Sequence, residues 1–162
     1  MKIVISHPTG NSNVRAVIEA LDKVGLLSEF NTTVAVNPQS PWLKVMPGGV
    51  RQQLLRRTFP ITANRLFTHP YLELARMILP KIGLARFIQN EHSWASVDAV
   101  YKSFDKLVAK RLTYLAKKEQ VTAVYGYEDG ALNTFKKAKE LGLKCIYDLP
   151  IAYWETGRKL ML

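Results

Sequence analysis

The chain has 162 residues, 48% of them hydrophobic and 22% charged, which is typical of one folded globular domain and excludes a disordered chain. Its single cysteine, Cys145, excludes an intramolecular disulfide and a multi-thiolate zinc centre, and no stretch approaches the ~18 apolar residues of a membrane span. We therefore expect a cytoplasmic, reducing compartment. The net charge of +10 favours an anionic partner such as phosphate groups, nucleic acid or an acidic lipid surface.

The first forty residues predict a β-α-β unit. An apolar strand at 2–6 leads into a polar turn, and apolar residues then recur every three or four positions, which predicts a helix from residue 12 or 13 to a stop at Gly25. A second strand is predicted at 32–36. Units of this kind place their two strands parallel, with a right-handed crossover.

The C-terminal third repeats this alternation. The predicted elements are a long helix at 96–118, a strand at 121–125, a helix at 130–141 and a strand at 144–147. Together the two halves predict a Rossmann-like, doubly wound α/β fold with a parallel sheet and helices on both faces. Ligands of such sheets bind beyond the carboxyl ends of the strands, so we expect the loops at 7–12, 126–130 and 148–153 to line a site.

The middle of the chain, about 42–91, reads as a basic helical insertion with only a weak strand signal at 84–88. Residues 42–90 hold eight Lys or Arg against one acid, Glu73. Arg51, Arg56 and Arg57 alternate with apolar residues, as expected of a helix that lies on an anionic membrane; ordinary solvated arginines on a core helix are the alternative. We favour the anion-contacting surface because of the charge excess.

Five residues at the strand exits are candidates for a ligand cleft. Gly10 and Asn11 open the first helix, where free N–H groups favour anions, but without a glycine-rich fingerprint a plain capping loop is equally consistent. Glu128 and Asp129 are suited to bind sugar hydroxyls or to act as acid and base. The structural alternative is that Asp129 caps the following helix. Tyr153 offers a flat face to a sugar, unless it is a core aromatic.

The three histidines have no second ligand at metal-binding spacing, so we expect no metal site. His7 alone stands at a strand exit, where it is a further polar contact. The chain ends in 153–162, which begins a helix without a cap or polar tail, and this pattern predicts a cut chain end.

The opening KIVISHPTGNSNVRAVIEAL and the later VTAVYGYEDGALNTFKKAKELGLKCIYDLPIAYWETGRKLM carry a resemblance that spans nearly the whole chain. They resemble the N-terminal, acceptor-side domain of GT-B glycosyltransferases of the family 4 type, notably cyanobacterial members. The resemblance implies one Rossmann-like domain over 1–162, with the donor-binding C-terminal domain and its E-x7-E element absent. The histidine that many members carry after the strand at 144–147 is missing, and Leu149 or Pro150 stands near its place.

The resemblance further implies that the parent enzyme transfers a sugar, with retention, from a nucleotide-sugar donor to a sugar or lipid acceptor, with no cofactor, and that this chain alone is inactive. It also favours peripheral attachment to the inner face of the membrane. The alternative is a non-enzymatic basic α/β module that binds nucleic acid or a partner protein. No nucleic-acid-reading motif supports this alternative, so we do not expect a nucleic acid partner.

Overall fold

The computed structural model describes residues 1–46, 48–149 and 158–160. In chain order its strands and helices are β1 (Ile3–Ser6), α1 (Ser12–Lys23), β2 (Leu27–Thr32), α2 (Gly48–Leu55), β3 (Leu66–Thr68), α3 (Tyr71–Ile78), α4 (Val97–Lys118), β4 (Ala123–Tyr127), α5 (Leu132–Glu140) and β5 (Lys144–Asp148). Short 3-10 helices add Pro41–Val45, Ala63–Arg65, Leu79–Ile82, Ala85–Phe87 and Glu128–Gly130. Within these described ranges, no helix combines the length and the apolar character that crossing a membrane requires.

The five strands form one sheet in the order β3-β2-β1-β4-β5, and every neighbouring pair is parallel. The chain builds outward from β1 to β3 and then returns to place β4 on the other side of β1. This is the Rossmann-like order, and the direction of winding reverses between β1 and β4. The prediction of a parallel α/β sheet is therefore confirmed, and its switch point lies at the carboxyl ends of β1 and β4.

Helices cover both faces of the sheet, as predicted. On one face Val4 packs against Leu112 of α4 in a buried cluster that also includes residues of β4 and α5. On the other face Ile5 packs against Val14 of α1 and Phe30 of β2. Because successive side chains of a strand point to opposite faces, a strand buried on both faces favours consecutive apolar residues, which explains the run from Ile3 to Ile5 in β1.

The second strand begins five residues earlier than predicted. It covers Leu27–Thr32, not 32–36, and it buries the polar side chains of Glu29 and Asn31. Arg111 of α4 binds Glu29 with Nη2 at 2.6 Å from Oε2, and this ion pair allows a carboxylate inside the sheet. The prediction of the later strand relied on Val34 and Val36, which are buried in the loop after β2. Their alternation therefore reflects burial and not strand pairing.

The weak strand signal at 84–88 was wrong, because Ala85–Phe87 forms a 3-10 helix. The edge strand is instead β3, whose three residues pair with the last three of β2. A run so short has no measurable periodicity, and only its partner strand reveals it. Beyond this edge, α2 and α3 enclose a third apolar cluster with the loop after β2.

Candidate functional site

His7 stands immediately after β1, at the switch point of the sheet, and is only 1% exposed. Its Nδ1 accepts hydrogen bonds from the backbone N–H of Gly10 at 2.8 Å and of Thr9 at 3.2 Å. An Nδ1 that accepts is unprotonated, so the neutral ring carries its proton on Nε2. Burial lowers the pKa of His7 to about 4, against the opposing charge of Asp148. His7 is therefore a neutral N–H donor at physiological pH.

The Nε2 atom of His7 is buried and has no hydrogen-bond partner among the described residues. The ring lies against Tyr127 of β4, with 4.2 Å between the ring centroids. Ser6 Oγ and Asn31 Oδ1, at paired positions of β1 and β2, are likewise buried without a partner in the described part of the chain. Buried polar atoms in folded proteins are nearly always satisfied, so a group of exceptions at one sheet edge is typical of a functional site.

Asp148 ends β5 on the other side of β4 and has a buried Oδ2 without a hydrogen-bond partner among the residues described. Burial raises the pKa of the neighbouring Tyr125 hydroxyl, and the nearby Asp148 carboxylate raises it further. Burial, followed by the nearby carboxylates, also raises the pKa of Tyr127. The sequence placed Asp148 in a loop expected to line the site, but neither Asp148 nor Tyr125 was among the predicted cleft residues. The available signal was their position at strands flanking the switch point.

Gly10 and Asn11 have structural roles in the first loop. Gly10 has φ +68°, and a Cβ there would lie 2.4 Å from the Phe59 ring, so glycine is required both by the backbone and by the packing. Asn11 is the N-cap of α1, and its side chain accepts from the N–H of Val14 at 2.8 Å. This is the capping-loop alternative of the sequence analysis. The two residues shape the loop that holds His7.

Glu128 and Asp129 lie in the 3-10 helix after β4 and line different cavities. Glu128 borders a cavity beside Phe135 and Tyr147 on the α5 side. Asp129 is exposed and borders another, beside Tyr101 of α4. The structure therefore does not bring these two carboxylates together in one cavity, as an acid and base acting on one substrate would require.

Asp129 also does not cap the following helix, so that structural prediction was wrong. The helix α5 begins at Leu132, and its N-terminal N–H groups are met by Asp105 from the middle of α4. Asp105 accepts from the N–H of Asn133 at 2.6 Å and of Thr134 at 2.8 Å. The cap is supplied across 28 residues of sequence, which a local capping rule does not detect.

The three arginines predicted to contact an anionic surface are in different environments. Arg51 and Arg56 are exposed on α2 and just after it. Arg57 instead donates through Nη2 to the buried carboxylate of Glu73 at 2.6 Å. Burial raises the pKa of Glu73, but the hydrogen bonds and charges of Arg76 and Arg57 outweigh it, so the pKa is lowered overall. Glu73 thus stays ionised and occupies Arg57.

Tyr153 lies outside the described residues. In the ranges that are described, no three His, Cys, Asp or Glu side chains gather in a way that would hold a metal ion. No protein-family model, curated protein or solved structure matches the chain. The fold and the groups at its switch point are thus the basis for assigning a function.

Proposed function

We propose that this chain is the acceptor-binding, N-terminal domain of a retaining GT-B glycosyltransferase. The observation that supports it best is a pair of buried groups at the carboxyl edge of the sheet, the Nε2–H of His7 and the Oδ2 of Asp148, which have no hydrogen-bond partner among the described residues. A hydroxyl group both accepts and donates a hydrogen bond, so it matches one donor and one acceptor presented together. The Tyr127 ring beside His7 adds a flat apolar surface of the kind that packs against a ring.

In this proposal His7 and Asp148 position an acceptor hydroxyl. Because His7 is neutral at pH 7, it donates without bringing a positive charge beside the oxygen that must attack. Asp148 accepts the hydroxyl proton in a hydrogen bond and orients the oxygen. Orientation of a reacting group at contact distance is a large part of enzymatic rate enhancement. The nucleotide-sugar donor is bound by a second α/β domain that carries the E-x7-E element.

The experiment compares this chain with the product of its complete reading frame. We expect that frame to continue past Leu162 into a second α/β domain, and its product to transfer sugar from a nucleotide-sugar donor. We expect this chain alone to bind UDP-glucose or GDP-mannose weakly or not at all in calorimetry. Tight stoichiometric donor binding or turnover by the isolated chain, or a frame without a second domain, would contradict the proposal.

Within the full enzyme, Asp148→Asn should lower kcat at least tenfold, because the side chain loses its charge and one acceptor oxygen. Asp129→Asn is the matched control, since it removes the same charge from an exposed position nearby. Equal rates for the two variants would refute the role of Asp148. Salt-sensitive binding to duplex DNA without any sugar transfer would favour the alternative basic module.

A further inference from the structure

An apolar cavity of about 420 Å³ lies between α2 and α3, beyond the carboxyl ends of β2 and β3. Its wall includes Val36, Trp42, Val50, Leu54, Leu74 and Met77. Small-molecule sites commonly measure about 300–1,000 Å³, whereas packed interiors leave few voids larger than a water molecule. The size and the apolar wall are therefore those of a ligand site, and the ligand portion that fits is a hydrocarbon.

The rim of this cavity is both apolar and exposed. Trp42 is 45% exposed, Met46 37% and Ile78 52%, and all three line the cavity. Large exposed apolar side chains grouped at one mouth mark interaction sites on soluble proteins, and beside basic residues they are typical of membrane-surface contacts. A hydrocarbon chain can therefore reach the cavity directly from a bilayer.

A second, basic pocket of about 440 Å³ adjoins the first, and Met77 and Lys81 line both. Arg56, Arg57 and Arg76 complete its cationic side. Glu73 engages Arg57 and Arg76 through hydrogen bonds of 2.6 to 2.9 Å. Arg56 and Lys81 form no ion pair within the described ranges, so their charges are available to an anion.

We propose that the two pockets together bind an anionic, phosphate-bearing membrane lipid. One hydrocarbon chain enters the apolar cavity, and the phosphate lies between Arg56 and Lys81. Charge complementarity and the shared wall at Met77 and Lys81 determine this orientation. The inference rests on the proposed function in that it names the acceptor as a lipid, but lipid binding is measurable without any sugar transfer.

The test is calorimetric titration of the chain with alkyl phosphates below their micellar concentration. We expect one molecule bound per chain. Affinity should rise about fourfold for each methylene added between hexyl and decyl phosphate, from the transfer free energy of a buried CH₂. Decyl maltoside, which has the chain but no charge, and inorganic phosphate, which has the charge but no chain, should each bind at least tenfold more weakly than decyl phosphate.

Two variants and their controls locate the site. Val50→Trp fills the cavity from α2 and should weaken decyl phosphate binding at least tenfold, whereas Gln52→Trp, on the exposed side of the same helix, should leave it unchanged. Arg56→Gln with Lys81→Gln should weaken it similarly, whereas Lys106→Gln with Lys110→Gln on α4 removes the same charge and should have little effect.

Affinity that does not depend on chain length overturns the proposal even if Val50→Trp fails to fold. Equal losses for the cavity variant and its control, or for the two charge variants, do the same. Failure of lipid binding with sugar transfer intact in the full enzyme would indicate a soluble acceptor and leave the glycosyltransferase proposal standing. Lipid binding without sugar transfer would support the lipid site and refute the glycosyltransferase proposal.

Discussion

Replacing Asp105 tests whether α5 is capped by this distant residue, as the structure shows, or by the neighbouring Asp129, as the sequence pattern predicted. Asp105 is 3% exposed, and its carboxylate accepts hydrogen bonds from the backbone N–H groups of Asn133 and Thr134 and, at 2.7 Å, from the side-chain Nδ2 of Asn133. The negative charge also lies at the positive end of the α5 dipole. Asp105 therefore joins α4 to α5 and closes the N-terminus of α5 at the same time.

The loss of stability expected for Asp105→Ala follows from the N–H groups that the substitution leaves without a hydrogen-bond acceptor. Thr134 is fully buried, so its N–H would lose its partner without gaining water, at about 1–3 kcal/mol. Asn133 is partly exposed and can turn to water, which adds about 1 kcal/mol for the lost hydrogen bonds. We expect a total of about 3 kcal/mol, or a fall in Tm of roughly 6–12 °C for a chain of this size.

Thermal and urea unfolding followed by circular dichroism measure this loss. Asp105→Asn should lose about half as much, because one oxygen remains to accept. Asp129→Ala, at the position that the local pattern favoured as the cap, should stay within about 0.5 kcal/mol of wild type, since its side chain is exposed and does not cap α5. A larger loss for Asp129→Ala than for Asp105→Ala would refute the tertiary cap.

Three further predictions concern the loops and the buried charges. Gly10→Ala should destabilise the fold by about 2–3 kcal/mol in urea unfolding, because it adds a clash with Phe59 to a left-handed backbone. Gly25→Ala is the control, with φ +70° and no atom near its Cβ, and should destabilise by about 1 kcal/mol; equal losses would rule out the clash. Glu73→Gln should lower the free energy of unfolding by about 3 kcal/mol, since two arginines lose their carboxylate. Because the pKa of Glu73 is lowered, its contribution to stability is present above pH 4.5 and is lost as pH falls below that value, so a variant whose stability depends on acid pH as that of wild type does would contradict this role. Burial, and then the Arg111 charge, lowers the pKa of His69 to about 4, so the unfolded chain binds one more proton than the folded chain between pH 6.5 and 4, and stability decreases as pH falls through that interval. The urea midpoint should therefore decrease less between pH 7 and pH 5 in His69→Gln than in wild type, and an equal decrease would show that His69 is not responsible.

The sequence by itself determined the alternation of strands and helices, and with it the fold class. The spacing of apolar residues predicted α1 and α4 closely, and the apolar runs of β1, β4 and β5 were located within two residues. These features are local, because an element that buries one face repeats apolar residues at the period of that face in its own sequence. The strand exits, and therefore the edge where His7 and Asp148 lie, follow from them.

Only the tertiary structure decided where β2 lies, because its buried Glu29 needs Arg111 from α4, 82 residues away, and so does not look like a core strand. The cap of α5 by Asp105, the pairing of Arg57 with Glu73 and the joined apolar and basic pockets have the same origin. In each case the partners are distant in sequence. Since residue types and their spacing reveal which side chains are buried but not what they meet there, these contacts depend on the packed fold.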